Sequence, residues 1–207
     1  MSVETLLLPI TSLPDALALP APPAQPFQVA VCPPGSKSLT NRALLLAAVA
    51  RGTSVLRRPL LEADDARQMR AALGTLGATI IEDGGNARVS GVGGCWKTPD
   101  AGVTLNLNNA GTAARFLAGA ALLSPHPITI DGNSRMRERP IGELGDLLTQ
   151  LGCRIEFSGT PGCPPMCIRP PETPLCGRAV DVHTTQSSQF VSALLLVSPW
   201  ITGGLTI

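Results

Sequence analysis

Hydrophobic residues recur along the chain in three patterns, each typical of a different element. Unbroken runs rich in alanine and leucine at residues 43–50 and 116–123 predict buried helices. Apolar residues spaced three and four apart predict two amphipathic helices, through Met69, Leu73 and Leu76, and through Ile141, Leu144, Leu147, Leu148 and Leu151. β-Branched residues predict strands at 79–81 and 128–130. Helices and strands alternate, which favours the α/β or α+β class.

The same order of elements recurs with a period of roughly 75 residues. The first copy runs from Arg42 to Ile80 and the second from Arg115 to Ile155. Each copy predicts an apolar helix, a short strand, an amphipathic helix and a further strand. A third copy opens at Gln189 and reaches only its first strand, at residues 205–207. We therefore expect an incomplete third repeat, whose uncovered surface needs further sequence or a partner.

Two proline-rich segments do not fit the repeat. Residues 3–10 predict a strand, and residues 13–26 are rich in proline and predict an extended linker. Residues 159–177, rich in proline and glycine, predict a surface excursion between strands. The expected organisation is residues 1–26 as an N-terminal strand with its linker, and residues 27–207 as one lobe, incomplete at its C-terminus.

The composition of the chain excludes several classes of partner. Sixteen basic and fifteen acidic residues leave a net charge of +1, so no surplus exists to neutralise a nucleic acid or an anionic membrane. Aromatic residues make up only 3%, too few for base-stacking surfaces. No apolar run reaches the roughly 18 residues of a membrane helix. Glu4 stands where a secretory signal would carry a basic residue, and we expect a cytoplasmic protein.

A cytoplasmic location predicts free thiols for the six cysteines. A zinc site is the alternative for part of this set, namely Cys163, Cys167 and Cys176 with His183. The segment is proline-rich, however, and lacks the paired CxxC motifs of zinc knuckles. We therefore expect no bound metal.

A turn of small and polar residues precedes the first helix of each copy, at residues 34–42, 108–115 and 184–189. A helix N-terminus presents unpaired N–H groups and a positive dipole end, and it therefore attracts anions. These turns add glycines for close backbone approach, cations and hydroxyls: Gly35, Gly111, Lys37, Arg42, Arg115, Ser38, Thr112, Ser187 and Ser188. The pattern predicts one site for a small, multiply anionic ligand. The alternative is that the polar residues only cap their helices.

Residues 131–140 carry three arginines, Arg135, Arg137 and Arg139, before a helix that Pro140 is expected to begin. Arginine suits bidentate binding of phosphate or carboxylate, and the chain is otherwise poor in charge. This composition favours a second element of the anion site. The alternative is a solvated charged turn.

Other motifs argue against nucleotide binding and against catalysis by carboxylates near the second predicted helix. Ser36 rather than glycine precedes Lys37, so the P-loop pattern fails, and Trp96 replaces the third glycine of a dinucleotide fingerprint. Asp64 and Asp65 are expected to cap a helix and to balance its dipole.

These motifs together resemble the 5-enolpyruvylshikimate-3-phosphate (EPSP) synthase family, the enolpyruvyl transferases of the shikimate pathway. The matching stretches are Pro34-Gly-Ser-Lys-Ser-x-x-Asn-Arg42, Asp64-Asp65, Asn109-Ala-Gly-Thr-Ala-Ala-Arg115, Arg135-Met-Arg-Glu-Arg-Pro-Ile141 and Ser187-Ser-Gln-Phe190. They stand in the family's order and cover residues 28–207, while residues 3–10 resemble the family's first strand. The related UDP-N-acetylglucosamine enolpyruvyl transferases match less well, because they have Lys-Asn where this chain has Lys37-Ser38.

The resemblance implies a two-lobed fold in which each lobe contains three βαβαββ units. This chain would supply the shikimate-3-phosphate-binding lobe, and its first strand would belong to the other lobe. The implied reaction transfers the enolpyruvyl group of phosphoenolpyruvate to the 5-hydroxyl of shikimate 3-phosphate, with loss of phosphate and without metal or cofactor. Clustered cations suit this reaction, because both substrates are anions that must be held together against their repulsion.

The resemblance also implies roles for individual residues. Lys37 would bridge the two substrates, and Gln189 would contact both. Shikimate 3-phosphate would be held by Ser38, Arg42, Ser187 and Ser188. The phosphoenolpyruvate site, which also takes the family's inhibitor glyphosate, would be lined by Gly111 and Arg139 and supported by Asn109, Thr112, Arg115 and Arg135. Lys37, Arg139 and Gln189 are the residues expected to act in catalysis.

Two departures from the family pattern change what is expected of the chain. Phe116 stands where many members have proline, which is expected to reshape the pocket wall slightly. The chain also ends about halfway through the family's length, before the family's acid/base carboxylates. We therefore expect it to be inactive until a C-terminal half joins it, as a separate chain or as missing sequence. A binding module without catalysis is the alternative.

Overall fold

The computed structural model describes residues 33–183, 185 and 187–207, together with residues 12, 16, 21 and 28–31. Contacts divide the chain into two units, Met1–Pro33 and Pro34–Ile207. The strand predicted at residues 3–10 lies outside the described residues. Most of the predicted linker also lies outside the described residues, as does the boundary predicted between residues 26 and 27. The α-helices and strands that are described all belong to the second unit.

Within these residues, five α-helices form where apolar runs or amphipathic spacing predict them. Their bounds are α1 Lys37–Val49, α2 Asp64–Thr75, α3 Gly111–Ala120, α4 Gly142–Gln150 and α5 Ser188–Val197. Short 3-10 helices cover Ala121–Leu123, Met136–Glu138 and Ser198–Trp200. None of the described helices is both long and apolar enough to span a membrane.

Nine strands, counted over the same residues, form three sheets. The first sheet is antiparallel in the order β1-β3-β2, from β1 Thr53–Leu56, β2 Thr79–Asp83 and β3 Asn86–Ser90. The second has the order β4-β5-β7-β6, from β4 Val103–Asn106, β5 Ile128–Asp131, β6 Arg154–Phe157 and β7 Met166–Arg169. Strands β4 and β5 are parallel, and the other neighbours are antiparallel. The third sheet pairs β8 Cys176–Ala179 in parallel with β9 Thr202–Thr206.

Helix α3 lies in the middle of the hydrophobic core. Eight of its ten residues are buried, so it is apolar on nearly every side. It packs against α1, α2 and α5. Gly119 allows α5 to come close, because a Cβ at this position would lie only 2.8 Å from the Cβ of Ala193. The second sheet adds one face to the same core through Ile128, Ile130, Met166 and Ile168.

Burial confirms the predicted hydrophobic periodicities. Every apolar residue in the two amphipathic patterns is buried, and the strands predicted at residues 79–81 and 128–130 lie in β2 and β5. The mixture of helices and strands fits the α/β class. Pro140, however, does not begin α4. Ile141 has a non-helical backbone (φ −136°, ψ 2°) and donates its N–H to the carbonyl of Gly162 at 2.8 Å, so the helix begins at Gly142.

The prediction for residues 159–177 is wrong, because the segment contains a strand in the interior of a sheet. Strand β7 forms within it, between β5 and β6, and β8 begins near its end. Met166 and Ile168 point into the core while Cys167 and Arg169 alternate with them on the other face. The alternation of buried and less buried residues in β7 covers only four residues, and proline and glycine surround it, so the sequence pattern did not indicate a strand.

The cysteines that the structure describes carry free thiols: Cys95, Cys153, Cys163, Cys167 and Cys176. Burial raises the pKa of the Cys153 thiol to about 12, so this thiol stays protonated and unreactive at neutral pH. Among the described histidine, cysteine, aspartate and glutamate residues, no group of three or more is arranged to hold a metal ion.

Substitution of two adjacent leucines of α5 tests whether this helix packs as described. Leu194 is fully buried, whereas Leu195 is 54% exposed. We expect Leu194→Ala to lower the free energy of unfolding by about 2–5 kcal/mol, because it removes buried surface and leaves a cavity. Leu195→Ala, with the same change in helix propensity, should alter it by less than about 0.5 kcal/mol. Urea denaturation of both variants measures the difference, and equal losses would contradict the packing.

Candidate functional site

The start of α1 is held in place by the segment that follows β1. Ser36 caps the helix by accepting a hydrogen bond from the N–H of Leu39 at 3.3 Å. Gly35 lies so close to this segment that a Cβ would be 2.8 Å from the carbonyl oxygen of Arg58. The Leu60 N–H also donates to the Thr40 hydroxyl at 2.9 Å. The backbone in front of α1 is therefore fixed, while Lys37 and Ser38 in the first turn stay exposed.

Arg42 bends back toward the start of its own helix. Its Nη1 donates to the carbonyl oxygen of Ser38 at 3.2 Å and also to the Ser38 hydroxyl. The guanidinium lies over the ring of Phe116, 4.7 Å from the centroid. Phe116 is fully buried, so its ring supports Arg42 from below through a cation–π contact. Phe116, which departs from the family pattern, thus positions Arg42.

At the start of α3, Gly111 makes room for Arg139. A Cβ on Gly111 would lie 2.8 Å from Nη1 of Arg139. The Nε of Arg139 donates to the side-chain oxygen of Asn109 at 3.0 Å. Thr112, the second residue of α3, is half-buried. The structure therefore brings three of the predicted residues, Asn109, Gly111 and Arg139, into direct contact.

Arg115 connects α3 with the start of α5. Its Nη1 donates to Oε1 of Gln189 at 2.8 Å, and its guanidinium lies 5.3 Å from the centroid of the Phe190 ring. Burial, and then the charge of Arg139, lower the pKa of Arg115 below its usual value. Both causes act against the charged form, so an anion placed between the two arginines would relieve them. Ser187 caps α5 through the N–H of Gln189 at 3.3 Å, and Ser188 is exposed in the first turn. Thr184 and Gln186 lie outside the described residues.

The three arginines of residues 135–139 have three different environments. Arg139 reaches Gly111, as described above. Arg137 makes a bidentate ion pair with Asp131, at 2.9 and 2.7 Å. Arg135 is largely exposed and pairs with Glu138 at 3.4 Å. In the described structure it contacts none of the other predicted site residues.

Asp64 and Asp65 do more than start α2. The N-cap of α2 is Ala63 and no side chain caps the helix, so the predicted capping role is wrong. The acids face neighbouring loops instead: Asp65 pairs with the Nζ of Lys37 at 3.5 Å, and Asp64 accepts a hydrogen bond from the Asn108 amide at 3.4 Å. In the sequence, the signal for these contacts is the pair of adjacent acids at a helix start that follows the cationic turn of residues 34–42.

Asn108 is a structural residue of the site that the sequence analysis did not single out. It has a positive φ of 50°, a conformation that asparagine tolerates better than most residues. Its side-chain oxygen accepts a hydrogen bond from the Asn133 amide at 2.8 Å, and its carbonyl accepts the Asn133 N–H at 3.0 Å. Through Asp64 and Asn133 it links the start of α2 and the arginine segment to the turn before α3.

These contacts link three helices: Arg42 of α1 lies over Phe116 of α3, and Arg115 of α3 donates to Gln189 of α5. Four cations belong to the candidate site: Lys37, Arg42, Arg115 and Arg139. Ion pairs to them within the described residues come from Asp65 alone, and helix N-termini add the positive ends of their dipoles. A surplus of positive charge at the N-termini of three packed helices suits the binding of small anions.

Comparison with known proteins defines the family. The EPSP synthase profile (3-phosphoshikimate 1-carboxyvinyltransferase) matches residues 22–207, and the chain belongs to this family. A 3-phosphoshikimate 1-carboxyvinyltransferase of Ralstonia pickettii is 45% identical over 177 residues, which are 84% of this chain and 40% of the relative. One of Pseudomonas syringae is 41% identical over 194 residues, 94% of this chain and 45% of the relative.

Two further relatives extend the comparison. The pentafunctional AROM polypeptide of Schizosaccharomyces japonicus is 44% identical over 83% of this chain and 11% of its own length. The solved EPSP synthase of Acinetobacter baumannii superposes with a TM-score of 0.71 and 29% identity, over 81% of this chain and 37% of that chain. This chain thus spans about 40% of the length of the curated single-activity relatives it matches.

The Arg137–Asp131 ion pair predicts a specific dependence of stability on pH. The hydrogen bond from Arg137 holds the pKa of Asp131 below its ordinary value, so the ionised carboxylate is favoured in the folded state. This contribution is present above the unfolded pKa of about 3.9 and is lost as pH falls through the lower folded pKa. We expect the wild type to be more stable than Asp131→Asn at pH 7, and the difference in Tm to shrink below about pH 4.

Glu138→Gln is the matched control, because it removes the carboxylate of the exposed Arg135–Glu138 pair. Its Tm should stay close to that of the wild type at both pH values, as for most exposed ion pairs. A Tm difference for Asp131→Asn that does not change with pH would show that the ion pair contributes nothing to stability.

Proposed function

We propose that this chain forms the N-terminal part of an EPSP synthase active site and binds shikimate 3-phosphate and phosphoenolpyruvate. The observation that carries the proposal is the set of four cations at the starts of α1 and α3, in a member of this family. Each substrate carries a phosphate and a carboxylate, and such groups suit arginine and lysine donors beside helix N-termini. A net charge of +1 gives no support for binding to nucleic acids or to membranes.

We assign the two substrates to different ends of the site. Ser38 and Arg42 on α1, with Ser187 and Ser188 on α5, bind shikimate 3-phosphate. Gly111 and Arg139 bind phosphoenolpyruvate, with Asn109, Thr112, Arg115 and Arg135 in support. The hydrogen bond from Arg139 to Asn109 and the close approach of Arg139 to Gly111 favour this division. Arg135 would have to leave its exposed pair with Glu138 to take part.

The reaction itself needs the anions to be held together and needs protons to be moved. The 5-hydroxyl oxygen bonds to C2 of phosphoenolpyruvate while C3 gains a proton and the hydroxyl loses one. Loss of phosphate and of a C3 proton then restores the double bond. Lys37, Arg139 and Gln189 would bind the reacting groups and stabilise the charge that develops on them. Lys37 is already oriented by Asp65.

We further propose that polypeptide beyond these 207 residues completes the site. Leu39 and Leu46, one above the other on α1, are 68% and 37% exposed, and Leu195 on α5 is 54% exposed. We infer that these leucines, on two helices that pack against each other, belong to a face that another segment covers. The greater length of the relatives supports the same proposal.

The sheets also support a repeated βαβαββ unit. The segment β4-α3-β5-α4-β6-β7 has this order of elements. The order β1-β3-β2 in the first sheet corresponds to β5-β7-β6 in the second, and the parallel pair β8-β9 corresponds to β4-β5. We propose that the chain contains one full unit flanked by parts of two others.

Release of inorganic phosphate from phosphoenolpyruvate and shikimate 3-phosphate tests the catalytic part of this proposal. We expect no turnover with the 207-residue chain alone, and turnover after mixing it with the C-terminal half of a family member. Lys37→Ala should abolish turnover in the mixture. Lys97→Ala, which removes an exposed lysine outside the site, should leave it unchanged.

Two outcomes would contradict the proposal in different ways. Turnover by the chain alone would show that the acid/base groups are already present. Absence of turnover in the mixture, with substrate binding intact, would favour a binding module without catalysis.

Substrate binding can be tested without turnover. We expect Arg42→Ala to weaken the binding of shikimate 3-phosphate by roughly 2–3 kcal/mol, because it removes a charge-assisted contact. Arg51→Ala is the matched control, since Arg51 is exposed beyond the opposite end of α1. Isothermal titration calorimetry measures both. An unchanged affinity in Arg42→Ala would remove Arg42 from the site.

A further inference from the structure

A second cluster of arginines lines a cavity of about 640 Å³ that shares no residue with the site described above. Arg154 on β6, Arg169 on β7 and Arg178 on β8 contribute to its wall, and we call it the arginine cavity. Its volume lies within the range of small-molecule binding sites. The cavity therefore has both the size and the charge of a ligand site.

Two of the arginines stand directly opposite each other in the second sheet. Arg154 and Arg169 are partners in the antiparallel register of β6 and β7, so their side chains lie on the same face. Like charges in this position destabilise a sheet unless another group balances them. Glu156 balances Arg169 through a contact of 3.2 Å, and it raises the pKa of Arg169. Within the described residues, Arg154 has no ion pair.

Arg178 adds positive charge from a different sheet. It lies on β8 and likewise has no ion pair within the part of the chain that the structure describes. Glu172 is the carboxylate that lines the cavity, against three arginines. In a chain with a net charge of only +1, this is a local surplus of positive charge.

Proline makes much of the remaining wall rigid. Pro125 and Pro127 precede β5, and Pro170 and Pro171 follow β7 directly. The pyrrolidine ring fixes φ, so these segments lose little freedom when a ligand binds. The backbone of this part of the wall is thus restricted before a ligand binds, which lowers the entropic cost of binding a small molecule.

We propose that the arginine cavity binds a small anion with two or more phosphate or carboxylate groups, which bridges Arg154 and Arg178. Guanidinium groups bind both kinds of oxyanion in bidentate fashion, and two arginines on different strands, without an ion pair among the described residues, suit a ligand with two charged ends. The site is separate from the proposed substrate site and would remain if that proposal failed.

Titration of the 207-residue chain with inorganic pyrophosphate, and separately with citrate, tests this site. We expect the double variant Arg154→Gln with Arg178→Gln to bind the favoured probe at least about tenfold more weakly, as expected for the loss of a charge-assisted contact. Arg51→Gln with Arg57→Gln removes the same charge from another exposed surface and should leave the affinity unchanged. Arg154→Lys with Arg178→Lys keeps the charge and should weaken binding less than the glutamine variant.

Each outcome decides the proposal. Binding of pyrophosphate alone would identify a phosphate ligand, and binding of citrate alone a carboxylate ligand. Failure of both probes to bind would overturn the proposal that the arginine cavity binds an anion. So would an equal loss in the Arg51/Arg57 control, which would show a general effect of charge. Arg42→Ala is titrated with the same probes, and a loss of binding confined to this variant would place the anion in the substrate site instead.

Discussion

Close packing of α3 between α1 and α5 is the constraint on which the site depends. A helix of glycine, alanine and a few large apolar residues can be buried on nearly all sides. Gly119 lets α5 approach to a distance at which a side chain would clash with Ala193. This packing places Phe116 beneath Arg42 and Phe190 beneath Arg115. The apolar core thus fixes the cations through the aromatic rings that support them.

Cations gathered in this way repel one another, and the structure offsets this only in part. Asp65 pairs with Lys37, and Asn109 and Gln189 accept hydrogen bonds from Arg139 and Arg115. The pKa of Arg115 is still lowered, by burial and by the charge of Arg139. An anionic ligand would supply the missing balance, because it interacts most strongly where water is excluded and the donors are already oriented.

Hydrogen bonds and ion pairs of amides and carboxylates connect the loops around the site. Asn108 joins the start of α2, through Asp64, to the arginine segment, through Asn133. Arg137 pairs with Asp131, whereas Arg139 lies against Gly111. Within five positions of the chain, arginine therefore makes a bidentate ion pair, an exposed ion pair and a close contact with Gly111.

The sequence alone determined the class of fold, the helices with regular apolar spacing and the N-terminal segments of α1, α3 and α5 that carry Lys37, Arg42, Gly111, Arg115 and Gln189. These follow from local patterns, since periodicity and helix starts depend on neighbouring residues. Only the tertiary structure decided that β7 lies inside a sheet, that Phe116 supports Arg42, and that Asp64 and Asp65 face other loops. Each of these depends on contacts between residues distant in the chain, and no local pattern in the sequence records such contacts.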